Sequence, residues 1–315
     1  MTARYVGRRL LQSAFVLWLA ATLAFVAVQL TPGDPAQALL AASGATSDEI
    51  AERRAQLGLD DPFPVQYVRY LLDLTQGDLG RSWLHGRKVA RMILEQLPPT
   101  AALALAATVV GVFMGLSLGV LAALRPSTWL DTVATTVAVL GLSVPTYWSG
   151  MLAIFLFSLR LGWLPATGEG TLRHLILPAA VLGFGFSGSV ARLVRARVVE
   201  VMEEPFVLAA RARGLPSRRV VFVHVLRAAL APALTVVALQ FGFLLGGAVV
   251  TESVFARRGL GKLAVEAILW RDLPVVRGVV VCGALVYVLV NLAADLAHAW
   301  LDPRLRAGAD ADVRL

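Results

Sequence analysis

Six stretches of this chain stay apolar over lengths that a bilayer demands and a soluble fold rarely uses. They run over 9–30, 101–124, 132–159, 175–190, 230–251 and 279–301. A helix rises about 1.5 Å per residue, so about 20 apolar residues cross a hydrocarbon core of roughly 30 Å. Inside lipid every backbone N–H and C=O must bond within the segment, so these runs read as helices. The fold class is therefore an all-α integral membrane protein with about six transmembrane helices. Only 16% of the residues are charged, against about 25% in a soluble domain. Pro145 falls inside the third run and predicts a kink. The fourth run is short and glycine-rich. The first run is too long for the 7–15 apolar residues of a secretory signal. That outweighs the cleavage-like spacing of Ala36-Gln37-Ala38 beyond it.

The distribution of arginine and lysine orients the spans. With the N-terminus inside, the inner pieces 1–9, 124–131, 191–229 and 302–315 carry a net charge of +8. The outer pieces 31–100, 160–174 and 252–278 carry +1. Loops as long as 31–100 cross largely regardless of charge, so the short loops decide, and they place both termini in the cytoplasm. The overall +8 thus reflects topology, with no basic soluble face for nucleic acid. The lone cysteine, Cys282, excludes an intrachain disulfide and a cysteine-pair zinc site.

The chain then divides into an N-terminal span (1–30), an external helical segment (31–100), a core transmembrane region (101–301) and a cytoplasmic tail (302–315). In the external segment, Thr46-x-x-Glu49 predicts a capping box opening a helix that ends at Gly58. A second helix is expected from Pro64 to about Gln76, with Tyr67, Leu71 and Leu74 on one stripe. Gly77-Asp78-Leu79-Gly80 is a turn. The segment suits either a cap on the bundle or a docking surface for an extracytoplasmic partner. In the 191–229 loop, Pro205 opens a short helix over 207–213, and Gly214 suits a left-handed C-cap. Ser217 is placed to N-cap a second helix whose face carries Val220, Val221, Val223 and Leu226. Helix, glycine turn and helix make a rigid protrusion, or an amphipathic piece lying on the inner membrane surface.

Catalytic chemistry does not emerge. Gly261-Lys262 is followed by Leu263 and lacks the upstream glycine of a phosphate-binding loop, so nucleotide must be hydrolysed elsewhere. Gly183-x-Gly185-x-x-Gly188 matches the dinucleotide fingerprint but lies within a span, with no strand before it. Like Gly111-x-x-x-Gly115-x-x-x-Gly119, it reads as a surface for close helix packing. His85, His174, His224 and His298 share no zinc spacing. Intramembrane polar groups mark candidate pathways. Ser143, Thr146, Gln240 and Asn291 are the candidates for a translocation path. Asn291, Asp295 and His298 share one face of the last span and favour anchoring near its inner end.

Several of these segments resemble the peptide and nickel branch of ABC importer permeases. Ala209-Ala210-x-x-x-Gly214, followed after a helix by Leu230-x-Pro232, is similar to the EAA loop of that family. Ala210-Arg211-Ala212-Arg213-Gly214-Leu215 and His224-Val225-Leu226-Arg227 agree with it. So do Arg8-Arg9-Leu10, Thr31-Pro32-Gly33-Asp34-Pro35, Leu57-Gly58-Leu59-Asp60, Gly77-Asp78-Leu79-Gly80, Leu97-Pro98-Pro99-Thr100, Ser143-Val144-Pro145, Leu164-Pro165-Ala166, Gly259-Leu260-Gly261 and Asp302-Pro303-Arg304. In order they cover nearly the whole chain. Three departures stand out. Leu208 occupies the glutamate position of the EAA motif, Ala228 a frequent asparagine, and Arg258 a usual proline.

The resemblance implies a non-enzymatic permease subunit in the cytoplasmic (inner) membrane of a bacterium or archaeon. It implies a pairing with a homologous second permease, two cytoplasmic ATPase subunits and an extracytoplasmic binding protein. Ala209, Ala210, Gly214, Leu215, Leu230 and Pro232 would then form the coupling loop that fits the ATPase. ATP and Mg²⁺ would bind the ATPases, with no cofactor in this chain. Expected cargoes are di- or oligopeptides, with nickel or another small solute as the alternative. A stand-alone secondary transporter would instead show inverted repeats and paired broken helices, and the sequence displays no internal repeat.

Overall fold

The apolar runs become long helices in the computed structural model, which describes residues 3–30, Gln37 and 46–301. The Thr31–Pro35 motif, Ala36 and Ala38 of the cleavage-like spacing, and the 302–315 tail lie outside the described residues. Within the described chain every regular element is helical, apart from one antiparallel bridge between Arg81 and Lys88. The helices are α1 (Ala3–Gln29), α2 (Ser47–Gln56), α3 (Phe63–Thr75), α4 (Val89–Leu124) and α5 (Trp129–Ser143). Next come α6 (Thr146–Ala153), which continues as a π-helix over Ile154–Arg160, α7 (Arg173–Met202) and α8 (Pro205–Ala212). A composite helix, α9, spans 217–229 with a π-helical centre at Val220–Val225. The chain ends with α10 (Ala231–Gly247), α11 (Val249–Val254), α12 (Leu260–Leu269) and α13 (Leu273–Leu301).

Among the described residues four helices are long and apolar enough to cross a membrane, five if the bent pair α5–α6 is one span. Helix α10 has 17 residues, at the lower end of the roughly 17–25 that a span uses. Where the sequence suggests one kinked span, α5 and α6 are separate helices 106° apart. The reason lies at the junction. Proline disfavours the helical region for the residue before it, and Val144 is extended at φ −79°, ψ 124°. Pro145 is extended too, at ψ 134°, and caps α6. Two successive extended residues break a helix rather than bend it.

Two compact units are present. The first takes in the described residues up to Thr100 and Arg258–Leu292. Its core joins Val89, Met92 and Ile93 of α4 to Leu260 and Ala267 of α12 and to Val275 and Val279 of α13. Polar ties reinforce it. The Thr100 hydroxyl accepts the Leu260 N–H at the start of α12 (2.8 Å). Asp272 accepts the Ser82 hydroxyl (2.5 Å) and the Trp83 N–H (3.0 Å). Phe25 of α1 is fully buried against the rings of Phe63, Tyr67 and Tyr70 on α3. The capping box forms as read, with Thr46 N–H to Glu49 Oε2 at 2.7 Å and Glu49 N–H to Thr46 Oγ1 at 3.4 Å. Gly58, at φ +65°, ends α2.

The second unit takes in Ala101–Arg257 and the end of α13 from Ala293. Helix α7 is its inner helix. In its most apolar 18-residue window, 61% is buried, against 33% for α4. Two glycine stripes allow this. A Cβ on Gly115 would lie 2.8 Å from the Ser187 carbonyl oxygen, and one on Gly119 2.6 Å from that of Ala191. On the other side, a Cβ on Gly141 of α5 would lie 2.5 Å from the Phe184 carbonyl oxygen. Backbones at this separation gain packing contacts that lipid cannot replace. The fingerprint-like Gly183-x-Gly185-x-x-Gly188 lies in mid-helix on α7, where Gly183 faces Ala107 of α4 and Gly188 faces Ala138 of α5.

Candidate functional site

The segment between α7 and α10 is the best-defined feature outside the long helices. Helix α7 runs on to Met202, so the connection is shorter than the sequence suggests. Glu204 is extended, and Pro205 takes the first helical position of α8, where its missing N–H costs nothing. Val207 and Ala210 turn inward and are buried. Phe206 and Leu208, 46% and 56% exposed, and Ala209 turn outward. Gly214 adopts φ +76°, and Leu215 N–H reaches back to the Ala210 carbonyl (3.3 Å). A Cβ on Gly214 would meet nothing within 4 Å.

Helix α9 departs from the sequence reading in two ways. Pro216, not Ser217, is the N-cap, and no side chain bonds the first turn. Ser217 already lies inside the helix, so its hydroxyl is not placed as a cap. The π-helical turns over Val220–Val225 also shift the buried face. An i→i+5 pattern puts residues five apart in line. Val220, Val221 and Val225 are therefore buried, while Val223 is exposed. Phe222, 64% exposed, points outward with it. Leu230 is half-buried and leads into α10, whose first turn contains Pro232. Predicted residues Ala209, Ala210, Gly214 and Leu215 thus lie on α8 and its glycine turn, while Leu230 and Pro232 lie where α9 passes into α10. The exposed apolar side chains Phe206, Leu208 and Phe222 lie among exposed Arg211, Arg213, Arg218, Arg219 and Arg227. No local pattern sets Phe206 and Phe222 apart. Their spacing resembles that of core positions, and only the fold shows that they face outward.

An ion pair ties this segment's parent helix to its neighbour. Arg195 of α7 donates through Nε and Nη2 to the two carboxylate oxygens of Asp131 on α5, at 2.8 and 2.7 Å. Ser127 N–H and Thr135 Oγ1 complete the set on Asp131. Such two-pronged geometry fixes orientation as well as energy. Asp131→Asn is expected to lower the melting temperature by several degrees. Asp131→Arg and Arg195→Asp should each lose at least as much, and the two together, which restore the pair in reverse, should recover part of it. A double variant no more stable than its worse single would show that the pair contributes no mutual attraction.

The candidate path residues stand on four helices. Ser143 closes α5 and is exposed, and half-buried Thr146 opens α6 across the break. The Thr146 carbonyl accepts the Ser149 hydroxyl (3.1 Å). Gln240 is half-buried on α10. Asn291 lies on α13 in the first unit and donates to the Tyr287 carbonyl of its own helix (3.0 Å). The structure brings Ser143 and Thr146 to one break, and Gln240 and Asn291 stand on other helices. The side chains of Asp295 and His298 lie outside the described set. Among the described residues no group of three His, Cys, Asp or Glu side chains is arranged to hold a metal.

Comparison with known proteins bears on the whole chain. Residues 115–307 match the family described as binding-protein-dependent transport system inner membrane component, and residues 2–104 match its N-terminal region family. A protein named as a peptide transport system permease from Brucella melitensis is 40% identical over 314 residues, covering 97% of this chain and 99% of that one. A glutathione transport system permease of Salmonella typhi is 40% identical over 302 residues, covering 96% and 98%. Among solved structures, a chain of a methionine ABC transporter superposes with a TM-score of 0.56 at 20% identity, over 67% of this chain and 96% of that one. That likeness speaks to the fold.

Proposed function

The chain belongs to the binding-protein-dependent transport system inner membrane components, and we propose that it forms half of an ATP-driven path for di- or oligopeptides. Membership makes it a multi-pass, non-catalytic permease of the inner membrane and implies ATPase and substrate-binding partners. The cargo class rests on one observation. Relatives named for peptide and for glutathione, itself a tripeptide, align at 40% identity over nearly their full lengths.

The rest of the mechanism is a reading that the geometry supports. A second, homologous permease supplies the other half of the path. The 203–230 segment carries the ATPase contact. Its buried Val207, Ala210, Val220 and Val225 make it a rigid body continuous with α7, while its outward face offers small and apolar side chains. Ala209, Gly214 and Leu215 form the contact, with Ala210 packed behind them, and Leu230 and Pro232 join it to α10. Closure of two ATPases on ATP would push this body and, through α7 and the Asp131–Arg195 pair, the broken α5–α6 helix. Alternating access needs a bundle with two packings whose balance ATP shifts. The break at Val144-Pro145 supplies a joint where such a shift is cheap, and Ser143 and Thr146 flank it at the path.

Reconstitution tests this reading. With a second permease, two ATPases and the binding protein in proteoliposomes, labelled dipeptide uptake should rise at least ~10-fold with ATP on the ATPase side, a change of about 1.4 kcal/mol in the driven step. Uptake driven by an ion gradient alone would mark a secondary transporter. ATP-driven uptake of Ni²⁺ but not of peptide would transfer the reading to the other cargo.

A further inference from the structure

A cavity of about 450 Å³ lies within the first unit, walled by α3, the 77–86 loop and the start of α13. That volume falls in the range of small-molecule sites, about 300–1,000 Å³. Most of its polar groups are already engaged. Arg69 is paired with Asp61 (2.8 Å), Arg81 Nη1 donates to the Gly86 carbonyl (3.3 Å), and Asp78 Oδ1 accepts the Gly80 N–H (2.8 Å).

Arg277 and Tyr70 are different. The Arg277 guanidinium lies 4.7 Å from the centre of the Phe25 ring and 5.6 Å from that of Tyr70. Among the described residues its Nε is buried without a hydrogen-bond partner, and so is the Tyr70 hydroxyl. No ion pair with a carboxylate is made by Arg277 among the described residues. Burial pushes the Tyr70 phenol up to about 12, so the hydroxyl keeps its proton and remains a donor. An arginine does not neutralise itself by losing its proton. A half-buried cation without a counter-charge is partly desolvated with nothing in return, and a well-packed apolar side chain there would be about as stable. The two rings lie against the guanidinium, and its Nε donor is unmet. That edge matches the two oxygens of a planar oxyanion.

We propose that this cavity binds a small ligand through a carboxylate or phosphate oxyanion, held by Arg277 and the Tyr70 hydroxyl. The site does not depend on the transported cargo being a peptide. Two sources share this chemistry: a free solute with a carboxylate or phosphate, and the phosphate of a phospholipid headgroup.

The test uses the full chain in a phosphate-free maltoside detergent. Thermal unfolding and titration calorimetry are run against sodium phosphate, dialanine and short-chain phosphatidylglycerol. Wild type is expected to bind at least one probe saturably, with a matching rise in melting temperature. A response to phosphate or dialanine but not to lipid assigns the site to a solute, and a response to lipid alone assigns it to a headgroup. Arg277→Met should melt, without ligand, no lower than wild type, and should lose the response. Tyr70→Phe, which removes one oxygen, should fold and bind about tenfold more weakly. Absence of any wild-type response overturns the site, as does a response undiminished in Arg277→Met. Should Arg277→Met fail to fold, Tyr70→Phe decides, and unchanged binding there overturns the proposal.

Discussion

Replacing Gly188 with valine should abolish accumulation of folded protein, while replacing Gly185 with alanine three residues away should be harmless. Both glycines lie on α7. A Cβ at Gly188 would overlap the Ala138 carbonyl oxygen of α5 and stand 2.7 Å from Leu142 Cγ. A carbonyl in a helix cannot rotate away, so the two helices must separate along their contact. Overpacking of this kind typically costs about 1–3 kcal/mol and sometimes more, and valine adds two methyls to the clash. At Gly185 the nearest atom to a Cβ is 4.0 Å away. Alanine there gains up to about 1 kcal/mol of helix propensity over glycine. The measurement is melting temperature and monodisperse yield in detergent for Gly188→Ala, Gly188→Val and Gly185→Ala. Losses should be graded, with Gly188→Val the most severe. Equal tolerance at both positions would mean that α5 and α7 do not pack as closely as the fold requires.

That contrast marks the limit of what the sequence discloses. Apolar runs are legible because bilayer thickness imposes their length, and glycines four apart on Gly111, Gly115 and Gly119 announce close packing. Which helix they face is not written in the run itself. Gly183, Gly185 and Gly188 look equivalent, and only the fold distinguishes the crowded ones from the open one. Pro145 marks a disturbance in the third span. Whether the chain bends or breaks depends on Val144 leaving the helical region as well, a choice made with the surrounding packing. The register of α9 is hidden for a similar reason. One i→i+5 turn moves Val223 from the buried face to the exposed one, and no local propensity encodes it. The Asp272 contact with Ser82 and the cavity beside Arg277 join segments nearly 200 residues apart. Local pattern carries no signal for such pairings. By contrast, the helix–glycine–helix of the 203–230 segment is local, and Pro205 and Gly214 give it away.

Gly214→Glu should strip the ATPase subunits from the purified complex, reducing their recovery by at least about tenfold, the equivalent of about 1.4 kcal/mol of binding, while the permease itself stays folded. The position makes two separable demands. Its φ of +76° suits glycine, and an ordinary residue held there costs about 1–2 kcal/mol. Its surroundings are open, with no atom within 4 Å of a Cβ, so bulk alone does not disturb the chain. Asparagine separates the two demands, because it visits the left-handed region readily yet carries a side chain. If the ATPase approaches the backbone at this turn, Gly214→Asn should melt close to wild type and still lose much of the ATPase, and Gly214→Glu should lose nearly all of it. If glycine serves only the turn, Gly214→Asn should retain the ATPase fully and Gly214→Ala should show the larger loss in stability. Quantifying the subunits that co-purify with a tagged permease, beside its melting temperature, distinguishes the two. Full ATPase retention by both Gly214→Asn and Gly214→Glu would remove Gly214 from the contact and leave exposed Phe206, Leu208 and Phe222 as the surface to vary next.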